Sequence, residues 1–140
     1  MSARRPRVVV DASIVLAWYL DDEQSLKSER LLDALPKLAL HAPSLWAVEA
    51  ANALLLAARR KRISEQWAAR SIEHCLRLPV ALDILDANAV LRAARIAAVH
   101  SLTAYDACYV ELAKRLRAPL ATLDQVIVRT APVLKLKIWH

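Results

Sequence analysis

The chain has 140 residues, 57% of them hydrophobic, with a formal net charge of +6 and no glycine. This length predicts a single domain over residues 1–140, and the hydrophobic content excludes a disordered chain. The absence of glycine excludes a Walker A loop and a GxGxxG dinucleotide-binding loop, and no apolar run approaches the roughly 18 residues of a membrane span. Asp11 interrupts the basic, apolar N-terminal stretch and no small-residue cleavage site follows, so we expect a cytoplasmic protein without a signal peptide.

Short apolar runs, typical of buried strands, alternate along the chain with longer segments that have helical periodicity. We predict strands at 7–11, 38–42, 80–84, 119–123 and 133–138. We predict helices at 12–20, 25–35, 44–62, 65–78, 87–99 and 104–117, the last three capped by Ser64, Asp86 and Thr103. This alternation indicates an α/β fold with a central, mostly parallel sheet flanked by helices.

Four acidic residues lie at positions where their charge needs compensation. Asp11 and Asp124 each end an apolar strand, and ligands bind at that edge of open parallel sheets. Glu49 lies in an otherwise apolar helix without a basic residue three or four positions away, and Asp106 lies in the first turn of another helix. Each has a structural alternative: Asp11 as a helix cap, Asp124 as a turn residue, and Asp106 as part of a capping box with Thr103. For Glu49 the alternative is weakest, because it is beyond useful range of the helix dipole.

If the four carboxylates converge, their mutual repulsion requires protons or a cation. Two like charges ~4 Å apart repel by about 4 kcal/mol at an effective dielectric near 20. All-oxygen ligands favour Mg²⁺ or Mn²⁺ over zinc, and a hard divalent cation suggests phosphodiester hydrolysis. Ser13 and Thr122 each lie two residues from an acid, where a hydroxyl can orient a carboxylate; equally, Ser13 can be a cap and Thr122 an ordinary strand residue.

The remaining polar residues indicate no second site. Cys75 and Cys108 form no CxxC pair and are expected to be reduced core thiols. None of the four histidines has metal-ligand spacing on a helix. Glu111 and Arg115 are spaced as a solvated ion pair on a helix, whereas Asp83 lies in a possible strand and has no assigned role.

Four motifs resemble those of the PIN-domain ribonucleases, in particular the VapC toxins of bacterial toxin–antitoxin pairs. The motifs are VVVDAS at 8–13 followed by LAWYL at 16–20, PSLW at 43–46 leading to Glu49 and Asn52, HSLTAYDA at 100–107, and LATLD at 120–124. The resemblance covers nearly the whole chain. One departure is His100, where a glycine is common, and we expect a strained or altered turn there.

The resemblance implies a site and an activity. Asp11, Glu49, Asp106 and Asp124 match the acidic residues that hold Mg²⁺ or Mn²⁺, and Ser13, Asn52 and Thr122 match positions that usually support them. The implied reaction is endonucleolytic cleavage of RNA, often tRNA or ribosomal RNA, by metal-activated water. The implied partners are an RNA substrate, a second copy of the chain and a small antitoxin protein. No membrane association is implied.

Two groups of basic residues are candidates for binding the RNA backbone. They are Arg59, Arg60, Lys61 and Arg62, and then Lys114, Arg115 and Arg117. The structural alternative is that they complement the dipoles at helix C-termini.

Other functions remain open from the sequence. A PIN-like module can bind RNA or protein without cleaving, and a PIN nuclease can serve RNA maturation with no antitoxin. A haloacid-dehalogenase-type phosphatase also has an Asp after its first strand, but it needs a second Asp where this chain has Ser13.

Overall fold

The computed structural model describes residues 3–140, so the first two residues of the predicted domain lie outside it. Over this range the chain forms a four-stranded sheet, order β3-β2-β1-β4, in which every pair of neighbouring strands is parallel. The strands are β1 (Arg7–Val10), β2 (Ala39–Pro43), β3 (Val80–Asp83) and β4 (Leu120–Ala121). The predicted α/β class with a parallel sheet is therefore confirmed.

Helices connect and flank the strands. They are α1 (Ala12–Leu16), α2 (Leu26–Ala34), α3 (Leu45–Arg59), α4 (Glu65–Leu76), α5 (Ala87–His100), α6 (Ala104–Leu116) and α7 (Gln125–Leu134). Short 3₁₀ turns lie at Asp21–Glu23 and Leu35–Lys37. The predicted caps are present: the side chains of Ser64, Asp86 and Thr103 each accept a hydrogen bond from the backbone N–H three residues on. None of the helices in residues 3–140 has the length and apolar character needed to cross a membrane.

The strand β1 lies at the centre of the hydrophobic core. Val8, Val9 and Val10 are at most 1% exposed, as expected for a central parallel strand that is covered on both faces. Trp46 and Leu54 of α3 and Leu112 of α6 belong to the same buried cluster. The core therefore fixes α3 and α6 relative to the strand that precedes Asp11.

Two predicted boundaries at the ends of the chain are wrong. Residues 133–138 are not a strand, because α7 extends to Leu134 and only Ile138 forms an isolated parallel bridge, to Leu120. The helix predicted at 12–20 ends at Leu16, and i→i+3 hydrogen bonds from Trp18 and Tyr19 then close tight turns. Apolar periodicity does not distinguish such turns from a continuing helix.

Because the chain has no glycine, larger residues adopt left-handed backbone conformations after helices. Lys61, Ser101, Arg117 and Lys135 have φ between 52° and 58°, at the ends of α3, α5, α6 and α7. Each non-glycine residue in this region costs roughly 1 kcal/mol or more. The altered turn expected at His100 falls on Ser101, the residue that follows it and ends α5.

Candidate active site

Asp11 and Asp124 lie at the same edge of the sheet. Strands β1 and β4 are neighbours, with Val10 opposite Ala121, and the backbone N–H of Asp11 donates to the carbonyl of Ala121 at 3.1 Å. Asp11 directly follows β1, and Asp124 follows the short segment after β4. Both carboxylates are therefore at the carboxyl edge, where ligands bind in open parallel sheets.

The Asp11 carboxylate is buried and held by three hydrogen bonds. Its Oδ1 accepts from the Ser13 hydroxyl at 2.6 Å and from the Ile14 backbone N–H at 3.3 Å, so Asp11 is also the N-cap of α1. Its Oδ2 accepts from the Thr122 hydroxyl. The structural alternative for Asp11, a helix cap, is thus present together with contacts that no cap requires.

Burial raises the pKa of Asp11 from 3.8 to about 6. The hydrogen bonds from Ser13, Thr122 and Ile14 oppose this rise, and the negative charge of Asp124 adds to it. The side chain is only 6% exposed. Burial therefore makes the ionised carboxylate of Asp11 energetically unfavourable. A nearby cation would stabilise this ionised form.

The hydroxyls of Ser13 and Thr122 also hold the segment that follows β4. Ser13 Oγ accepts from the backbone N–H of Leu123 at 3.0 Å, and Thr122 Oγ1 accepts from that of Asp124 at 2.9 Å. Each hydroxyl thus donates to Asp11 and accepts from the backbone. Together they fix the position of Asp11 relative to Asp124.

Asp124 and Asp106 are partly exposed, and the negative charge of Asp124 acts on Asp106. Asp124 Oδ1 accepts from the N–H of Val126 at 2.8 Å and caps α7, while Oδ2 has no hydrogen-bond partner among residues 3–140. Burial and the negative charge of Asp124 raise the pKa of Asp106, and the hydrogen bond of Thr103 opposes them. Thr103 caps α6 by accepting from the Asp106 backbone N–H at 3.0 Å.

Glu49 of α3 completes the group. Burial and the negative charge of Asp106 raise its pKa, and a hydrogen bond from Tyr109 opposes them. The Tyr109 hydroxyl donates to Glu49 Oε1 at 2.6 Å. Tyr109 was missed at the sequence level, although it lies three residues after Asp106 and hence on the same face of α6.

The four carboxylates form a connected series of like charges. Asp124 raises the pKa of both Asp11 and Asp106, and Asp106 raises that of Glu49. Within the described chain, none of the four is in an ion pair with Lys or Arg. A group of carboxylates without ion-pair partners has the all-oxygen donor chemistry that Mg²⁺ and Mn²⁺ prefer.

The donor groups are not drawn tightly together. Among residues 3–140 no three Asp, Glu, His or Cys side chains are grouped closely enough to hold one ion. Three of the four predicted ligands, Glu49, Asp106 and Asp124, are partly exposed, whereas Asp11 is fixed. The donor types fit a divalent cation, and ligation requires the carboxylates to turn towards it.

Two further residues bear on the site: Asn52, which was predicted to support it, and Lys27, which was not predicted. Asn52, predicted to support it, lies three residues after Glu49 on α3, is exposed, and makes no side-chain hydrogen bond within the described range. Lys27 of α2 was not predicted. Burial lowers the pKa of its ammonium group, and the negative charge of Asp11 opposes the shift. No sequence signal connects Lys27 with Asp11, because the two residues belong to different elements.

Some of the basic residues proposed to bind RNA are engaged within the chain. Arg62 pairs with Asp22 at 2.7 Å and with Glu23 at 3.1 Å. Arg115 pairs with Asp83 at 2.7 Å, which supplies the partner that the sequence did not reveal.

Glu111 is not the solvated partner expected from the sequence. It is only 6% exposed and accepts from Arg115 at 2.9 Å and from Arg92 at 2.8 Å. Arg92 belongs to α5, so the buried carboxylate joins two helices. Helical spacing identified the Arg115 contact but carries no information about a partner on another helix.

Both cysteines are free and buried, which confirms the expected core thiols. Of the four histidines, His74 makes a 2.7 Å hydrogen bond through Nδ1 with the Tyr19 hydroxyl.

The family model described as PIN domain matches residues 8–132. Ribonuclease VapC3 of Pyrobaculum aerophilum is 36% identical over 129 residues, covering 91% of this chain and 97% of that protein.

Solved structures share the same fold. PAE2754 from Pyrobaculum aerophilum has a TM-score of 0.63 and 25% identity, covering 91% of this chain and 87% of that one. VapBC2 from Rickettsia felis, bound to a DNA fragment from their promoter, has a TM-score of 0.66 over 95% of this chain and 97% of the other. At 10% identity, this second likeness shows the fold alone.

Proposed function

The chain belongs to the PIN-domain family and is of the VapC type, and on that premise we propose that it is a Mg²⁺- or Mn²⁺-dependent endoribonuclease, the toxin of a toxin–antitoxin pair. The observation that carries the proposal is the group of four carboxylates, Asp11, Asp124, Asp106 and Glu49, none of which forms an ion pair with Lys or Arg within residues 3–140. Neighbouring negative charge contributes to the raised pKa values of Asp11, Asp106 and Glu49. The relative at 36% identity, named a ribonuclease, supports the same activity.

Asp11, Asp106 and Asp124 would ligate the cation directly. Glu49 would ligate it through water or complete a second site when substrate binds. A bound Mg²⁺ or Mn²⁺ would supply a water of lowered pKa and would screen the charge on the phosphoryl group.

The protein's own residues would hold and prepare this site. Ser13 and Thr122 fix the orientation of Asp11, so this carboxylate would keep its position when the cation binds. A carboxylate of the group would accept the proton of the attacking water, because burial and like charges have raised its basicity. The products would be a 5′-phosphate and a 3′-hydroxyl.

RNA would be held by positive charge outside the acidic site. The net charge is +6, and a cation bound to the carboxylates would leave the surface more basic still. Five candidate side chains are exposed and free of ion pairs within residues 3–140, namely Arg59, Arg60, Lys61, Lys114 and Arg117. We propose tRNA or ribosomal RNA as the substrate class.

Cleavage of total RNA by the purified chain tests the activity. We expect cutting with Mn²⁺ or Mg²⁺, none with EDTA, and none from Asp106→Asn. The matched control is Asp33→Asn, which removes an exposed carboxylate from α2 and should cut at the wild-type rate. Wild-type cutting that persists in EDTA would contradict metal dependence. No cutting by folded, partner-free protein under any condition would favour a binding module instead.

The proposed antitoxin and homodimer need separate tests. Co-expression with a short neighbouring reading frame should give a stable complex without ribonuclease activity, and an uninhibited nuclease would favour a role in RNA maturation. Light scattering of the purified chain should give twice the mass of 15.6 kDa, and the single mass would contradict the dimer.

A further inference from the structure

We propose that Tyr109 is a positioning residue of the site: its hydroxyl holds one oxygen of Glu49, so that the other oxygen is presented to the cation. This inference rests on the proposed metal-dependent function.

The geometry of the contact is that of a hydrogen bond to a charged group. The Tyr109 hydroxyl lies 2.6 Å from Glu49 Oε1, within the range of about 2.5–2.7 Å for a hydroxyl that donates to a carboxylate. The Tyr109 side chain is 2% exposed, so the donor of the bond is shielded from water. A neutral hydrogen bond between hydroxyl-type oxygens is typically longer.

The hydrogen-bond inventory leaves one oxygen of Glu49 unused. A tyrosine hydroxyl has one proton to donate, and it is directed at Oε1. Within residues 3–140, Oε2 of Glu49 accepts no hydrogen bond from any side chain. The arrangement therefore divides the carboxylate into an anchored oxygen and a free one.

The same contact links the helices that carry two of the acids. Glu49 belongs to α3, whereas Tyr109 belongs to α6 and follows Asp106 by three residues. Glutamate has a long, flexible side chain, so without an anchor the position of its carboxylate relative to Asp106 is not fixed. Groups behind metal ligands that orient them in this way contribute strongly to metal affinity.

The alternative is that the bond only stabilises the fold, and the chain offers a matched control for it. Tyr19 is also buried, at 8% exposure, and its hydroxyl makes a 2.7 Å hydrogen bond with His74 Nδ1. Tyr19→Phe and Tyr109→Phe thus each remove one buried hydroxyl with its hydrogen bond and keep the ring. Only Tyr109→Phe removes a contact to a proposed ligand.

The test is calorimetric titration of Mn²⁺ into the metal-free full chain, with urea unfolding and RNA cleavage measured in parallel. We expect Tyr109→Phe to bind Mn²⁺ about 10- to 100-fold more weakly than wild type, and Tyr19→Phe to bind it with unchanged affinity. Both variants should lose stability to urea to a similar degree. In the Glu49→Gln background, Tyr109→Phe should cause no further loss of affinity.

Wild-type Mn²⁺ affinity in Tyr109→Phe would overturn the inference, as would an equal loss in Tyr19→Phe. Either result leaves the proposed function intact if wild type still cleaves RNA with metal. A wild-type chain that neither binds Mn²⁺ nor cleaves RNA would overturn the proposed function and this inference together.

Discussion

Replacing Asp11 by Asn should make the metal-free protein more stable at neutral pH. The substitution keeps the size of the side chain and removes a charge that is 6% exposed. Burial raises the pKa of this carboxyl from 3.8 to about 6 even though Ser13, Thr122 and Ile14 donate hydrogen bonds to it. A rise from 3.8 to about 6 corresponds to ~3 kcal/mol of unfavourable free energy in the ionised form.

The pH dependence has a defined sign. Below pH 3.8 Asp11 is protonated in both the folded and unfolded states, so its charge costs nothing. The cost grows as the pH rises from 3.8 to about 6 and is complete above that value. The advantage of Asp11→Asn should therefore be larger by about 1 kcal/mol at pH 8 than at pH 5.

The full ~3 kcal/mol will not be recovered, because an asparagine has one acceptor oxygen in place of two. Either Ser13 or Thr122 must reverse its hydroxyl, and losing one such hydrogen bond costs about 1 kcal/mol. We therefore expect Asp11→Asn to raise the free energy of unfolding by about 2 kcal/mol at pH 8.

Urea unfolding in EDTA, followed by tryptophan fluorescence at pH 5 and pH 8, measures the effect. Asp33→Asn, at an exposed position, is the control and should unfold as wild type does. Unfolding of Asp11→Asn at lower urea than wild type at pH 8 would refute the reasoning, because the hydrogen bonds to the carboxylate would then outweigh the cost of burying its charge. Added Mg²⁺ should stabilise wild type and leave this variant unchanged.

Other contacts give further predictions. Thr122→Val removes one donor to Asp11 and should weaken Mn²⁺ binding about 10- to 100-fold in the same titration. Lys27→Met removes a positive charge close to Asp11 and should strengthen Mn²⁺ binding, whereas unchanged affinity would place its ammonium group outside the field of the site. Arg115→Ala leaves the buried Glu111 with Arg92 as its remaining partner and should lower the free energy of unfolding by about 1–3 kcal/mol, measured in urea.

The sheet and the strand-end acids could be predicted because their signals are local. The valine-rich run before Asp11 reads as a buried strand, and a carboxylate at its end lies at the ligand-binding edge by topology alone. The hydroxyl of Ser13 was predictable as a neighbour of Asp11 for the same reason, since two residues separate them. These features depend on sequence distances of a few residues, which a single sequence displays directly.

Features that depend on packing between distant elements could not be predicted. The contact from Tyr109 to Glu49 spans 60 residues, and the contact from Arg92 to Glu111 joins two helices whose relative orientation the sequence does not encode locally. The strand predicted at 133–138 failed for another reason. Apolar and polar residues do alternate there, and Ile138 bridges to β4. However, Asp124 caps a helix that extends to Leu134 and so includes the start of the predicted strand.

The alternatives of helix cap and site ligand turn out to be compatible, and this explains how the chain tolerates four carboxylates that form no ion pair with Lys or Arg in the described residues. Asp11 and Asp124 each use one oxygen to accept from the first N–H groups of a helix, and Asp106 lies in the first turn of α6. Helix N-termini carry partial positive charge, so they offset part of the carboxylates' negative charge.

Capping also fixes the direction of Asp124 while leaving its Oδ2 free of hydrogen bonds in the described structure. Glu49 has no helix N-terminus to serve this purpose, and the Tyr109 hydroxyl takes its place. Asp124 and Glu49 are thus each held through one oxygen, Asp11 through both, and Asp106 by its place in a first helical turn. The charge that remains is what a divalent cation would neutralise.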